Sequence, residues 1–179
     1  MRTMIIAALL LVGAAATAQE GPRPSASSPS VSRREAKAAA FSAHIESLVK
    51  SRNYRFMPIT MQNPSSGNTR NIFAYYLYFE VTGDMAAVHL PVEFRSYIIN
   101  TVNFDSPVRS YSAEKVDTNW RIDFSVIHEG ELWLVELFVS EVTGQTRLAL
   151  VTKQGVMRYI GYLESADENV ERSRSWGLF

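Results

Sequence analysis

Four glycine-bearing turns constrain this chain more than any other feature: Gly83-Asp84, Glu129-Gly130, Thr143-Gly144 and Gln154-Gly155 each join two segments in which apolar and polar residues alternate. Alternation with a period of two marks a strand with one buried face, and a two-residue loop fixes which residues stand opposite one another. Across Gly83-Asp84, Phe79 pairs with Val88, Leu77 with Leu90 and Tyr78 with His89. The other three turns, registered independently, agree on a single core face. It carries Trp120, Ile122, Phe124 and Val126, then Trp133, Val135, Leu137 and Val139, then Leu148 and Leu150, then Met157, Tyr159 and Leu163. A slip of one residue would turn each set outward.

Strands are predicted over 53–61, 74–82, 85–90, 108–116, 120–128, 131–140, 145–153 and 156–164. One helix precedes them. Ser32-Arg33-Arg34-Glu35 matches a capping box, and Phe41, Ile45, Leu48 and Val49 then form an apolar stripe through residue 51. The face opposite the core holds Leu134, Phe138, Val151, Ile160 and Tyr162, too much apolar surface for full solvation, and the helix stripe is the expected cover. The expected fold is therefore mainly β with one N-terminal α-helix. Its antiparallel meander of about eight strands forms a barrel or a sandwich, with the helix packed outside or plugging an end.

The organisation along the chain follows from composition. Residues 1–18 read as a signal peptide: Arg2 is the positive start, 4–15 an apolar run, and Ala16-Thr17-Ala18 the small-residue cleavage site. A flexible Pro/Ser-rich tether over 19–31 follows, then one domain over 32–164 and a polar tail over 165–179. The chain contains no cysteine, so lipid attachment, disulfides and thiolate metal sites are all excluded. Periplasmic export, not as a lipoprotein, is the expected location. The charges balance at 18 basic and 18 acidic residues, which gives no electrostatic footprint for nucleic acid. No segment offers the roughly 20 apolar residues of a membrane-spanning helix. The C-terminal Phe179 is not preceded by the alternating apolar band of an outer-membrane barrel, whose polarity would be the reverse of the pattern here.

The succession KAAAFSAHIESLVKSRNYRFMPITMQ, GDMAAVHLPV, NFDSPVRSYSAEKVDTNWRIDFSV and LVTKQGVMRYIGYL resembles an exported domain-of-unknown-function family associated mainly with Bacteroidetes. The resemblance runs from about Ala36 to Leu163 and lies in the order of the blocks. It implies an exported single-domain protein with one N-terminal helix before a β-rich domain, and carries no catalytic residues with it.

The residues themselves offer two chemistries. The three histidines, His44, His89 and His128, share no metal-ligand spacing, and no metal site or cofactor is expected. His89 faces Tyr78, where a cross-strand hydrogen bond is expected. The same register sets Asp123 opposite Glu136, with Arg158 in their row two strands away and Arg121 beside them. Paired carboxylates of this kind are what a hydrolase uses for acid–base work, and salt bridging by Arg121 is the structural alternative. The second chemistry is binding: tyrosines abound, and the segment 92–106 carries Phe94, Tyr97, Ile98, Ile99 and Phe104, so it is expected to supply another strand or a lid. Tyr75, Phe94, Tyr97, Phe104 and Tyr111 are the candidate ligand-binding residues. The leading expectation is a non-catalytic module for a small apolar or peptide-like ligand or an envelope protein; a hydrolase using Asp123 and Glu136 is the alternative.

Overall fold

The computed structural model describes residues 29–62, 67–72, 74, 76–95 and 98–167; the expected signal peptide, most of the tether and nearly all of the tail lie outside the described residues. Helix α1 (Pro29–Ser51) starts earlier than the capping box suggests, so Ser32 and Glu35 lie within the helix. Proline suits a first helical turn, because its missing N–H is one that would have no helical partner there. Lys50 closes the other end, where a cation complements the helix dipole, and pairs with Glu46 one turn back.

Ten strands follow: β1 (Asn53–Gln62), β2 (Thr69–Asn71), β3 (Tyr78–Thr82), β4 (Met85–Arg95), β5 (Ile98–Pro107), β6 (Arg109–Val116), β7 (Asn119–His128), β8 (Glu131–Ser140), β9 (Gln145–Thr152) and β10 (Gly155–Ser165). They form one antiparallel sheet in the order β5-β4-β3-β1-β10-β9-β8-β7-β6, and β2 also pairs with β1. Two strands go beyond the expected eight. The segment 92–106 supplies strand rather than a lid: β4 continues through Pro91 with a register shift before Glu93, and β5 returns alongside it. The turn at Glu129 and Gly130 places both residues at positive φ, 51° and 78°, the mirror-image geometry that matches strand twist.

The sheet is not closed into a barrel, since β5 and β6 are its two end strands. They are nonetheless consecutive in the chain, which turns a corner at Pro107 and Val108. At that corner side chains replace the missing ladder. Ser106 Oγ accepts the Ile127 N–H at 3.0 Å, and the Phe104 ring stacks on His128 with centroids 4.1 Å apart. The register of β6 on β7 is irregular between Arg109 and Ser112, with Ser110 at φ 54°, so the regular ladder fails where the sheet would need to close.

The predicted core face is the observed one. Trp120, Ile122, Phe124, Val126, Trp133, Val135, Leu137, Val139, Leu148, Leu150, Met157, Tyr159 and Leu163 are all buried. Tyr159 on β10 donates its hydroxyl to the Pro91 carbonyl on β4 at 2.7 Å, across the interior of the curled sheet. Burial pushes this phenol well above its ordinary titration range. The helix does not cover the outer face as expected. Ile45, Leu48 and Val49 belong to the inner core, while Leu134, Ile160 and Tyr162 on the outside stay exposed. A curled sheet leaves the end of its interior open, and an apolar helix face buries more surface there than on a mixed outer face.

Candidate functional site

Period-two alternation places Arg121 and Asp123 of β7, Glu136 and Phe138 of β8, Arg147 and Ala149 of β9, and Arg158 and Ile160 of β10 on the outer face. Asp123 stands opposite Glu136, Glu136 opposite Ala149, Ala149 opposite Arg158, and Arg158 opposite Gln62 of β1. The neighbouring row runs Arg121, Phe138, Arg147, Ile160 and Thr60. Together these rows line a groove of about 640 Å³, with Thr69 of β2 also at its wall. Its volume falls within the range of small-ligand sites.

Ala149 leads to this groove by a route the turns alone do not show. Treating Thr143-Gly144 and Gln154-Gly155 as two-residue loops sets Val151 between Glu136 and Arg158. In the structure both hairpins differ from that register by two residues: Val139 pairs with Thr146, and Gly155 pairs with Thr152. Because each change is two residues, every side chain keeps its face, and because they are opposite in effect Arg158 stays in the carboxylate row. The residue between them becomes alanine.

Three guanidinium groups and two carboxylates line the groove. Arg121 Nε donates to Asp123 Oδ2 at 2.8 Å, while Asp123 Oδ1 is buried with no hydrogen-bond partner. The guanidinium of Arg147 lies over the Phe138 ring, 4.8 Å from its centroid. Glu136 is exposed, and among the described residues neither it nor Arg158 has an ion-pair partner.

The described aromatic candidates lie elsewhere. Tyr75 and Tyr97 lie outside the described residues, as does the side chain of Phe94. Phe104 is half-buried at the β5 corner between His128 and Trp133. Tyr111 is half-buried on β6: it stacks on Phe124 with centroids 5.6 Å apart, donates to the Val49 carbonyl at 3.3 Å, and carries the Arg52 guanidinium on its ring at 4.2 Å. These contacts hold elements together. Burial raises the Tyr111 hydroxyl above its usual range, against the opposing pull of Tyr54 and Arg52. Tyr78 and His89 pair as the turn requires, but their rings stack, 5.8 Å apart at 16°, in place of the expected hydrogen bond.

Sequence reasoning found the carboxylates and Arg158, but nothing singled out Phe138, Arg147 and Ala149 from the rest of the outer face. A second polar cluster is structural. Glu141 is buried in the turn after β8 and accepts from Trp120 Nε1 at 2.6 Å, Lys115 Nζ at 2.8 Å and Ser42 Oγ at 3.0 Å. Burial alone would raise this carboxyl; the three donors outweigh it and lower it below its ordinary value. Among the described residues no group of three His, Cys, Asp or Glu side chains is placed to hold a metal, and no helix is long and apolar enough to cross a membrane.

The fold and groove define a class: a helix-plugged, curled antiparallel sheet with a charged groove on its outer face. The family model for a domain of unknown function, DUF4251, matches residues 36–163, and the chain belongs to that family. The fold is similar to the crystal structure of a DUF4251 family protein from Bacteroides eggerthii DSM 20697, with a TM-score of 0.62 at 15% identity over 75% of this chain and 93% of that one. No curated protein matches.

Proposed function

We propose that this protein is an exported, non-catalytic binding module whose outer-face groove takes a peptide-like ligand. The observation that carries the reading is the lining itself: a groove of about 640 Å³ that sets three arginines and two carboxylates beside Phe138 and Ile160. A peptide presents charge, amide groups and apolar side chains together, and so matches such a wall. A wholly apolar ligand would take solvent from Glu136, Arg147 and Arg158 and supply no partner in return.

The hydrolase reading has one observation in its favour, the presence of Asp123 and Glu136 side by side in the groove. It lacks the asymmetry that acid–base catalysis needs. A general acid must be kept protonated by burial away from positive charge, whereas Asp123 is held by Arg121 and Glu136 is exposed in a groove lined by arginines. The test is a screen of chromogenic glycosides, esters and peptides on the natural protein and on the double variant Asp123→Asn with Glu136→Gln. No turnover is expected, while a mixture of short peptides shifts the amide NMR signals of Thr60, Ala149 and Ile160. Turnover that disappears in the folded double variant, or peptides that leave these signals unmoved, would overturn the binding reading.

A further inference from the structure

We infer that the groove holds its ligand by a free carboxylate seated on Arg147 and Arg158, with an N–H of the same ligand donated to Asp123 Oδ1. The inference rests on reading the groove as the binding site. Its basis is an imbalance in how the lining charges are used. Among the described residues, only the Arg121 guanidinium of the three is committed to an anion, Asp123. Arg147 rests on an aromatic face, which orients its plane and leaves its N–H groups without an anion, and Arg158 has no acidic partner among the described residues. A planar, oriented guanidinium is the side chain best suited to grip a carboxylate through two parallel hydrogen bonds.

Ala149 leaves room beside the two arginines for a ligand. It lies in the row between Glu136 and Arg158, which stand two strand spacings apart, about 10 Å between Cα atoms. Within that row, the side chain in the interval is a methyl group. The third element is Asp123 Oδ1, a buried carboxylate oxygen with no donor. Such an atom is costly unless a donor arrives, and an amide or ammonium N–H supplies one. From Asp123 to Arg158 the row crosses three strand spacings, about 14 Å. Arginine reaching inward shortens the span to that of a di- or tripeptide, at about 3.5 Å per residue. The C-terminal end of a short peptide meets all three conditions at once: a carboxylate, an N–H two or three residues away, and side chains for Phe138 and Ile160.

The test is an NMR titration of nitrogen-15-labelled protein, reading the Arg147 and Arg158 Nε–H signals in the natural protein and the backbone amides of Thr60 and Ile160 in every variant. The probes are an Ala-Xaa-Ala tripeptide mixture with free carboxylates, the same mixture with C-terminal amides, and inorganic phosphate. Free-carboxylate peptides are expected to bind at least tenfold more tightly than the amides. Arg147→Gln with Arg158→Gln should lose at least tenfold, the exposed Arg109→Gln should lose nothing, and Ala149→Leu should block both mixtures while leaving the circular dichroism spectrum unchanged. Equal binding of acids and amides would overturn the carboxylate assignment and leave the peptide groove standing. Phosphate that displaces the peptides at equal concentration would also overturn it, showing a general anion site. Failure of both mixtures, with Ala149→Leu without effect, would bring down the groove as a binding site and this inference with it.

Discussion

Two residues show how tightly single positions are held in this protein. Gly161 faces Pro58 where β1 bulges, and a Cβ built on it would overlap the Met57 carbonyl oxygen and crowd the Phe56 ring. The obstacle is backbone, which cannot swing aside as a side chain can. Gly161→Ala should therefore cost about 3 kcal/mol, the upper end for overpacking, measured as a shift in the urea midpoint. Glu141 makes a different claim, about pH. Its carboxyl is lowered in the folded state, so the folded protein binds its proton less readily than the unfolded chain does. That stability is fully present above the ordinary glutamate value of 4.5 and is lost as pH falls through the folded value. Urea midpoints measured from neutral to acid pH should fall more steeply for the natural protein than for Glu141→Gln. Parallel slopes would show that Lys115, Ser42 and Trp120 do not hold the charged form.

At the scale of the strands, the alternation of β7 separates neighbours into opposite environments. Trp120 is 5% exposed and bonds Glu141, whereas the side chain of Arg121 is 60% exposed and pairs with Asp123. Trp120→Ala should cost about 3 to 5 kcal/mol, while Arg121→Ala should cost under about 1 kcal/mol, the worth of an exposed ion pair. Equal midpoints for the two variants would contradict the face assignment. The same alternation explains what the sequence reveals and what it hides. Faces are legible because they depend only on parity, which survives the two-residue changes in the hairpins flanking β9. Exact neighbours depend on turn length, so Ala149, and with it the groove, is not legible. The three residues of β2 are too few to show a period, and β5 is legible only as one of two alternatives for 92–106, strand or lid, because Pro91 and an irregular register interrupt the hairpin that carries it. Placement of the helix, outside the sheet or plugging an end, stays open for another reason: a stripe shows that a helix must bury one face, not which of two apolar surfaces receives it.

For the whole molecule the decisive feature is the corner where the sheet almost meets itself. Beyond the pairing of Arg109 with Ser125, β6 no longer covers the β7 edge, and the Ile127 N–H points to Ser106 Oγ instead. Ser106 is 2% exposed, so water does not readily take its place. Around this bond, Phe104, His128 and Trp133 pack ring on ring, and the Val108 N–H donates to the Asp84 carbonyl at 2.8 Å. The two ends of the sheet are thus joined by a few side-chain contacts, where a barrel would have a continuous ladder. Free energies of local opening follow such differences, so this seam should open before the inner strands β1, β10 and β9. Ser106→Ala removes the acceptor and leaves a part-buried N–H unpaired, a loss of about 1 to 2 kcal/mol. Hydrogen exchange should then quicken at Ile127 and along β5 while the amides of β9 and β10 keep their protection. If all of these amides quickened together, the seam would be no weak point and the sheet would open only by global unfolding.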